Sequence, residues 1–193
     1  RLRLFVLQEV RGDAYNEQFK HYTARSSPIP GKRGRILDRN GNVIADTRTV
    51  ENVAIIDVTG DTSAENDRLN RIIAETVTLI KTHGETLSID FGIVFDGQGY
   101  AFTKNGDEQL RFLADVYGYP DTQTLSEEER SSSAADVVDM LAARYRVDQS
   151  DTTPAGMTLV LDTVGVRYAL SLNAFAKYNE TILARDVSED TTI

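Results

Sequence analysis

With 193 residues, 40% of them hydrophobic and 26% charged, the chain can bury one sizeable core or two small lobes, and its composition excludes a disordered polymer. A formal net charge of -9 argues against nucleic acid as a partner, and the lack of cysteine excludes disulfides and zinc thiolate sites. No apolar run reaches the length of about 20 residues needed to cross a bilayer, and no signal peptide with a charged start and an apolar centre is present.

The charge is unevenly placed. Up to Arg35 there are eight Lys and Arg against three Asp and Glu, a balance of +5 that leaves -14 on the rest of a chain whose total is -9. Leu2, Leu4, Phe5, Leu7 and Val10 open the sequence, and Tyr15, Phe19 and Tyr22 recur at helical spacing, which predicts a helical stem. Ser26-Ser-Pro-Ile-Pro-Gly31 ends it, because prolines favour extended backbone and glycine frees a turn. Asn40-Gly41 then lies between the apolar pairs Ile36-Leu37 and Val43-Ile44, the strongest short-range signal for a hairpin with positive φ at both central positions. Around that turn, Arg33, Arg35 and Arg39 surround the carboxylate of Asp38, and Gly41 is expected to matter to the backbone far more than Asn42.

Asn52 to Val58 has apolar residues on both faces and predicts an inner strand. Thr62-Ser-Ala-Glu65 has the form of a capping box, followed by Leu69, Ile72, Ile73, Val77 and Ile80 at helical steps up to a stop at Gly84. Leu87, Ile89, Phe91, Ile93 and Phe95 alternate in period two and predict a strand with one face in a core, and Asp96-Gly-Gln-Gly99 turns it back into Tyr100-Ala-Phe102. A short helix is predicted from Asp107 to near Gly118, and a second behind Ser133-Ala-Ala-Asp136 with Val137, Val138, Leu141 and Tyr145 on its apolar face. The Glu127-Glu-Glu129 run between them suits a solvated first turn favoured by the helix dipole. Asp148 to Pro154 reads as loop, Val164 to Tyr178 as mostly helix and Thr181 to Val187 as a last strand. The class is α+β, with a helical N-terminal stem, a β-hairpin, a mixed or antiparallel sheet and several packed helices, in an elongated or bilobed arrangement.

The run Arg33-Gly-Arg-Ile-Leu-Asp-Arg-Asn-Gly-Asn-Val-Ile-Ala45 resembles the signature R-G-x-I-x-D-R-N-G-x-x-(L/I)-A that opens the pedestal, or dimerisation, domain of class B penicillin-binding proteins. Arg33, Gly34, Ile36, Asp38, Arg39, Asn40, Gly41 and Ala45 occupy its positions, with Leu37 where an aromatic residue is common. Arg167-Tyr168, Phe175 and Ile182 to Glu189 are similar to the segment that leads such domains back toward the catalytic half. The resemblance implies three divisions: residues 1–59 as stem, signature hairpin and strand, 60–160 as a head, and 161–193 as a return segment. It also implies a parent D,D-transpeptidase of the extracytoplasmic membrane face, with an anchoring helix before Arg1, a catalytic domain after Ile193 and no cofactor. Partners would be that catalytic domain and wall-synthesis proteins, either a shape-determining or division scaffold or a glycan polymerase, with weak homodimerisation possible. On this reading Arg33, Asp38 and Arg39 hold the hairpin against the pedestal.

Chemistry within the chain itself is sparse. Penicillin-binding transpeptidases need S-x-x-K, S-x-N and K-T-G so that a serine nucleophile, its lysine and a substrate strand converge. Ser171-Leu-Asn173 fits S-x-N formally, no serine stands three residues before a lysine, and Lys81-Thr-His-Gly84 is one residue too long for K-T-G. His21 and His83 are far apart and lack metal-ligand spacing. The alternative from a different class is an exported enzyme domain that uses carboxylates on a wall polymer, which requires a pocket with two facing carboxylates and a shifted pKa.

Overall fold

The computed structural model describes residues 34–46, 50–57, 62–173 and 179–188, so the expected stem lies outside the described residues. The chain divides into two compact units, one ending at Thr49 and the other beginning at Val50.

In the first unit, β1 (Ile36–Leu37) and β2 (Val43–Ala45) pair antiparallel, with Ile36 opposite Ala45, Leu37 opposite Val43 and a register shift between the two pairs. The Asp38 amide donates to the Asn42 carbonyl at 2.8 Å, and the Gly41 amide donates to the Asp38 carbonyl at 3.1 Å. Arg39 and Asn40 therefore sit at the centre of the turn, and Gly41 follows them at φ 85°. The expected turn with positive φ at both Asn40 and Gly41 is corrected by this geometry. Only Gly41 is left-handed, and it absorbs the extra residue as a bulge that keeps the twist of the two strands.

The second unit is framed by β3 (Glu51–Ile55) and β6 (Thr181–Val187), which pair antiparallel from Glu51 opposite Val187 to Ile55 opposite Thr181. The last strand matches its predicted span. The expected inner strand does not hold, because among the described residues β3 pairs with β6 alone and Val50 and Ile56 at its ends are exposed. Apolar residues on both faces reflect a ribbon with one half-buried side, at Val53 and Ile55.

Between these strands comes α1 (Ser63–Thr82), opened by the predicted capping box in which Thr62 and Glu65 satisfy each other's amides and closed at His83, just before Gly84. The segment from Leu87 keeps its period-two burial, yet only β4 (Ile93–Phe95) pairs, with β5 (Tyr100–Phe102) across the Asp96 to Gly99 turn. Gly92 interrupts the run at φ 80°, and a Cβ on it would meet the Phe112 ring at 3.2 Å, so the backbone bends where that ring needs the space. Then follow α2 (Gly106–Tyr117), the four-residue α3 (Glu127–Arg130), α4 (Ala134–Tyr145) and α5 (Pro154–Leu172). Glu129 caps α3 from inside its own first turn, reaching back to the Ser126 amide at 2.7 Å.

The start of α5 is ten residues earlier than predicted. Pro154 at the first turn carries the φ a helix needs, and the Thr153 hydroxyl accepts the Gly156 amide at 3.1 Å, so the expected loop holds as far as Thr153 and Pro154 opens the helix. Its apolar residues are not confined to one stripe because two cores share it. Val164 packs with Phe91, Phe112, Leu113, Val137 and Leu141, whereas Val166 packs with Leu69, Ile73, Val77 and Leu183. A helix apolar all round is a buried one. The described residues thus form an α+β fold of five helices and three two-stranded antiparallel sheets.

Candidate functional site

The hairpin carries the signature, and its geometry centres on one carboxylate. Asp38 Oδ1 accepts the amides of Asn40 and Asn42, each at 2.8 Å, and Asp38 Oδ2 accepts Asn42 Nδ2 at 2.9 Å. The Asn42 side chain, then the amides of Asn42, Asn40 and Gly41, hold the Asp38 carboxyl below its ordinary range. Both oxygens are engaged inside the turn. The guanidinium beside it, Arg35, pairs instead with Asp46 at 2.9 Å. Arg39 is exposed at the turn, Ala45 faces Ile36 across the ladder, a Cβ on Gly34 would meet nothing within 4 Å, and Arg33 lies outside the described residues. Asn42 was given little weight from the sequence, but its side chain is the largest influence on Asp38. The D-x-N-x-N spacing is the signal that would have found it, since Asp at a turn's first position accepts amides two and four residues on.

The second unit holds a polar hub that the sequence reading did not identify. Asn70 is buried on α1 and its Nδ2 donates to the carbonyls of Tyr145 at 2.8 Å and Arg146 at 3.0 Å, at the end of α4. Arg167 on α5 donates to Asn66 Oδ1 at 2.6 Å and lies 5.3 Å from the centre of the Tyr145 ring. Three helices are thereby locked at one point. Lys81 and Asp162 form a second tie between α1 and α5. Asn66 and Asn70, one turn apart beside the Leu69 and Ile73 stripe, were the available signal: polar residues bordering a buried face want partners.

These features sit within one recognisable sequence pattern. The model of the penicillin-binding protein dimerisation domain matches residues 28–193, which takes in the hairpin, both cores and β6. The chain belongs to this family. A search of curated proteins found no match. A dimerisation domain of this kind is non-catalytic in itself, has a pedestal role in penicillin-binding proteins and implies an extracytoplasmic location. No helix among the described residues is long and apolar enough to cross a membrane.

The residues that mimic catalytic motifs are engaged structurally in this dimerisation domain. Ser171, in the last turn of α5, donates to the Tyr168 carbonyl at 2.7 Å and accepts from the Tyr145 hydroxyl at 3.2 Å, while Asn173 reaches Thr181 Oγ1 at 3.1 Å. His83 Nδ1 lies 3.0 Å from the Leu79 carbonyl at the end of α1. Among the described residues no group of three metal-binding side chains occurs. Asp151 and Asp162 do line a common groove of about 520 Å³ beside α5, the arrangement that would favour carboxylate chemistry. Burial raises the Asp162 carboxyl, but the Lys81 ammonium holds it as an ion pair. Asp151 is held below its ordinary range by the Thr153 hydroxyl and then by the Thr153 amide, which it accepts at 2.9 Å.

Proposed function

We propose that this domain is the pedestal of a membrane-anchored peptidoglycan D,D-transpeptidase, where it sets the position of the catalytic half for wall crosslinking and docks a protein of the wall-synthesis machinery. The family match over residues 28–193 carries this reading. The engaged state of Ser171, Asp151 and Asp162 supports a role in holding and docking rather than in reaction. The hairpin contributes a turn built by Asp38 and Gly41 that leaves Arg39 exposed. The docking partner is a shape-determining or division scaffold or a glycan polymerase, and self-association is at most weak. Two measurements test this. Light scattering at micromolar concentration should give a monomer or a weak dimer, and capture from a native membrane fraction should recover an identified wall-synthesis protein. A tight nanomolar dimer that recovers none would overturn it.

A further inference from the structure

Between α2 and the last turn of α5 runs a groove of about 590 Å³ whose floor is aromatic. Phe91, Phe112 and Tyr168 meet there edge to face, with ring centres 5.7 Å apart for Phe91 and Phe112, 5.5 Å for Phe91 and Tyr168 and 6.2 Å for Phe112 and Tyr168. Such contacts fix the three rings before anything binds, so an apolar side chain laid on them loses little to rearrangement. Leu172 lines the groove and is 65% exposed. The Tyr168 hydroxyl has no hydrogen-bond partner among the described residues, and burial pushes its pKa up to about 12.

The rim decides what kind of partner fits. Its two cations are already matched, Lys104 with Asp90 at 3.7 Å and Arg111 with Asp115 at 2.7 Å, and Arg111 also donates to the Pro120 carbonyl at 2.8 Å. Asp107 and Glu108, in the first turn of α2, have no ion pair among the described residues. The groove therefore presents an apolar floor under an excess of acidic over basic side chains, within a chain of net charge -9. That surface repels anionic lipid headgroups and acidic wall polymers and attracts a basic segment. We propose that it docks a segment of a partner protein in which a large apolar side chain is flanked by Lys or Arg, the apolar group seated on Phe112 and Tyr168 and the cations on Asp107 and Glu108. The assignment rests on the docking role proposed above and gives it an address.

The test uses the whole chain and a short fluorescent amphipathic peptide with Leu and Phe along one face and Lys along the other, with a twin bearing Glu in place of Lys. Anisotropy should show binding of the Lys peptide and not of its twin. The double variant Asp107→Lys, Glu108→Lys and the single variant Leu172→Asp should each weaken binding about tenfold or more, as loss of a central anchor or its charge partner does. Glu127→Lys with Glu128→Lys makes the same change of charge on exposed residues elsewhere and should leave affinity within about threefold, a surface-charge effect. Equal losses from the two charge-reversed pairs, or none from either, would overturn the groove. Unchanged melting temperatures establish that the variants fold. Capture from the membrane fraction separates the two readings: an identified wall-synthesis protein held equally by wild type and Leu172→Asp sinks the groove alone, whereas no such protein on the wild type sinks the docking role with it.

Discussion

The signature hairpin and the helices of the second unit achieve order in opposite ways. In residues 34–46 every apolar side chain is exposed, Ile36 at 60% and Ile44 at 68%, and the turn is held by hydrogen bonds that all lead to Asp38 or its backbone. From Thr62 to Asn173 the helices bury Ile73, Leu113, Val137, Leu141 and Val164 completely, and polar groups only pin what packing has already assembled. Among the described residues, the stretch most specific for the family thus has the least core behind it. Motif density and stability are separate properties, because a motif records what a surface must present and a core records only volume and pattern.

The largest effect should come from the second unit. Leu141→Ala removes a fully buried side chain where α4 meets α5, and such truncations cost about 2–5 kcal/mol with little room to collapse. Chemical denaturation should show that loss across the second unit. A midpoint shift no larger than that of a surface substitution would break the contrast just drawn. Next, Asn70→Ala should cost about 1–3 kcal/mol, since it leaves the Tyr145 and Arg146 carbonyls without their buried donor at the end of α4. Asn70→Asp should be worse, because it removes the donor and places a charge in the same buried site.

What the sequence revealed follows the same division. Local rules were readable wherever a few adjacent residues determine the outcome: the capping boxes at Thr62 and Ser133, the stop near Gly84 and the strand Thr181 to Val187 all stand where predicted. The start of α5 was missed because Pro154 was placed at the end of a loop when Thr153 made it a first-turn residue, and because a helix shared by two cores shows no single stripe. The strand pairing of β3 was misjudged since burial on both faces and exposure at an edge look alike in a short apolar run. Asn66 and Asn70 marked the hub, but their partners were illegible for a different reason. Asn66 and Arg167 are 101 positions apart, and no local pattern relates them.

In the hairpin, substitutions should act locally. Gly41→Val forces a branched side chain into φ 85°, at about 1–2 kcal/mol of strain, and should release the protection of the Asp38 and Gly41 amides while the second unit melts unchanged. Asn42→Ala should do less, since it removes one bond to Asp38 Oδ2 and leaves the two backbone amides in place. A large fall in the melting temperature of the second unit for either variant would show that the two units are energetically coupled, and the contrast between them would have to be redrawn.

The smallest effect is the most discriminating, because two carboxylates of the same kind stand on the two sides of the comparison. Asp38 in the hairpin and Asp136 at the start of α4 are both held below the ordinary carboxylate range, the first chiefly by the Asn42 side chain and the second chiefly by the Ser133 hydroxyl. A depressed folded-state pKa contributes stability that is present above the ordinary value and is lost as pH falls through the folded one. Below the ordinary carboxylate range, therefore, both caps should loosen by the same chemistry. The consequence should differ. At the hairpin the Asn40 and Asn42 amides lose their acceptor with no core to replace it, so their exchange protection, corrected for the intrinsic rate at each pH, should fall with the Asp38 titration. In α4 the amides beyond the first turn should keep theirs, since Val137, Val138 and Leu141 remain fully buried whatever the charge on Asp136. Parallel loss of protection in the two places would mean that the capping carboxylate, rather than the core behind it, holds each element in place.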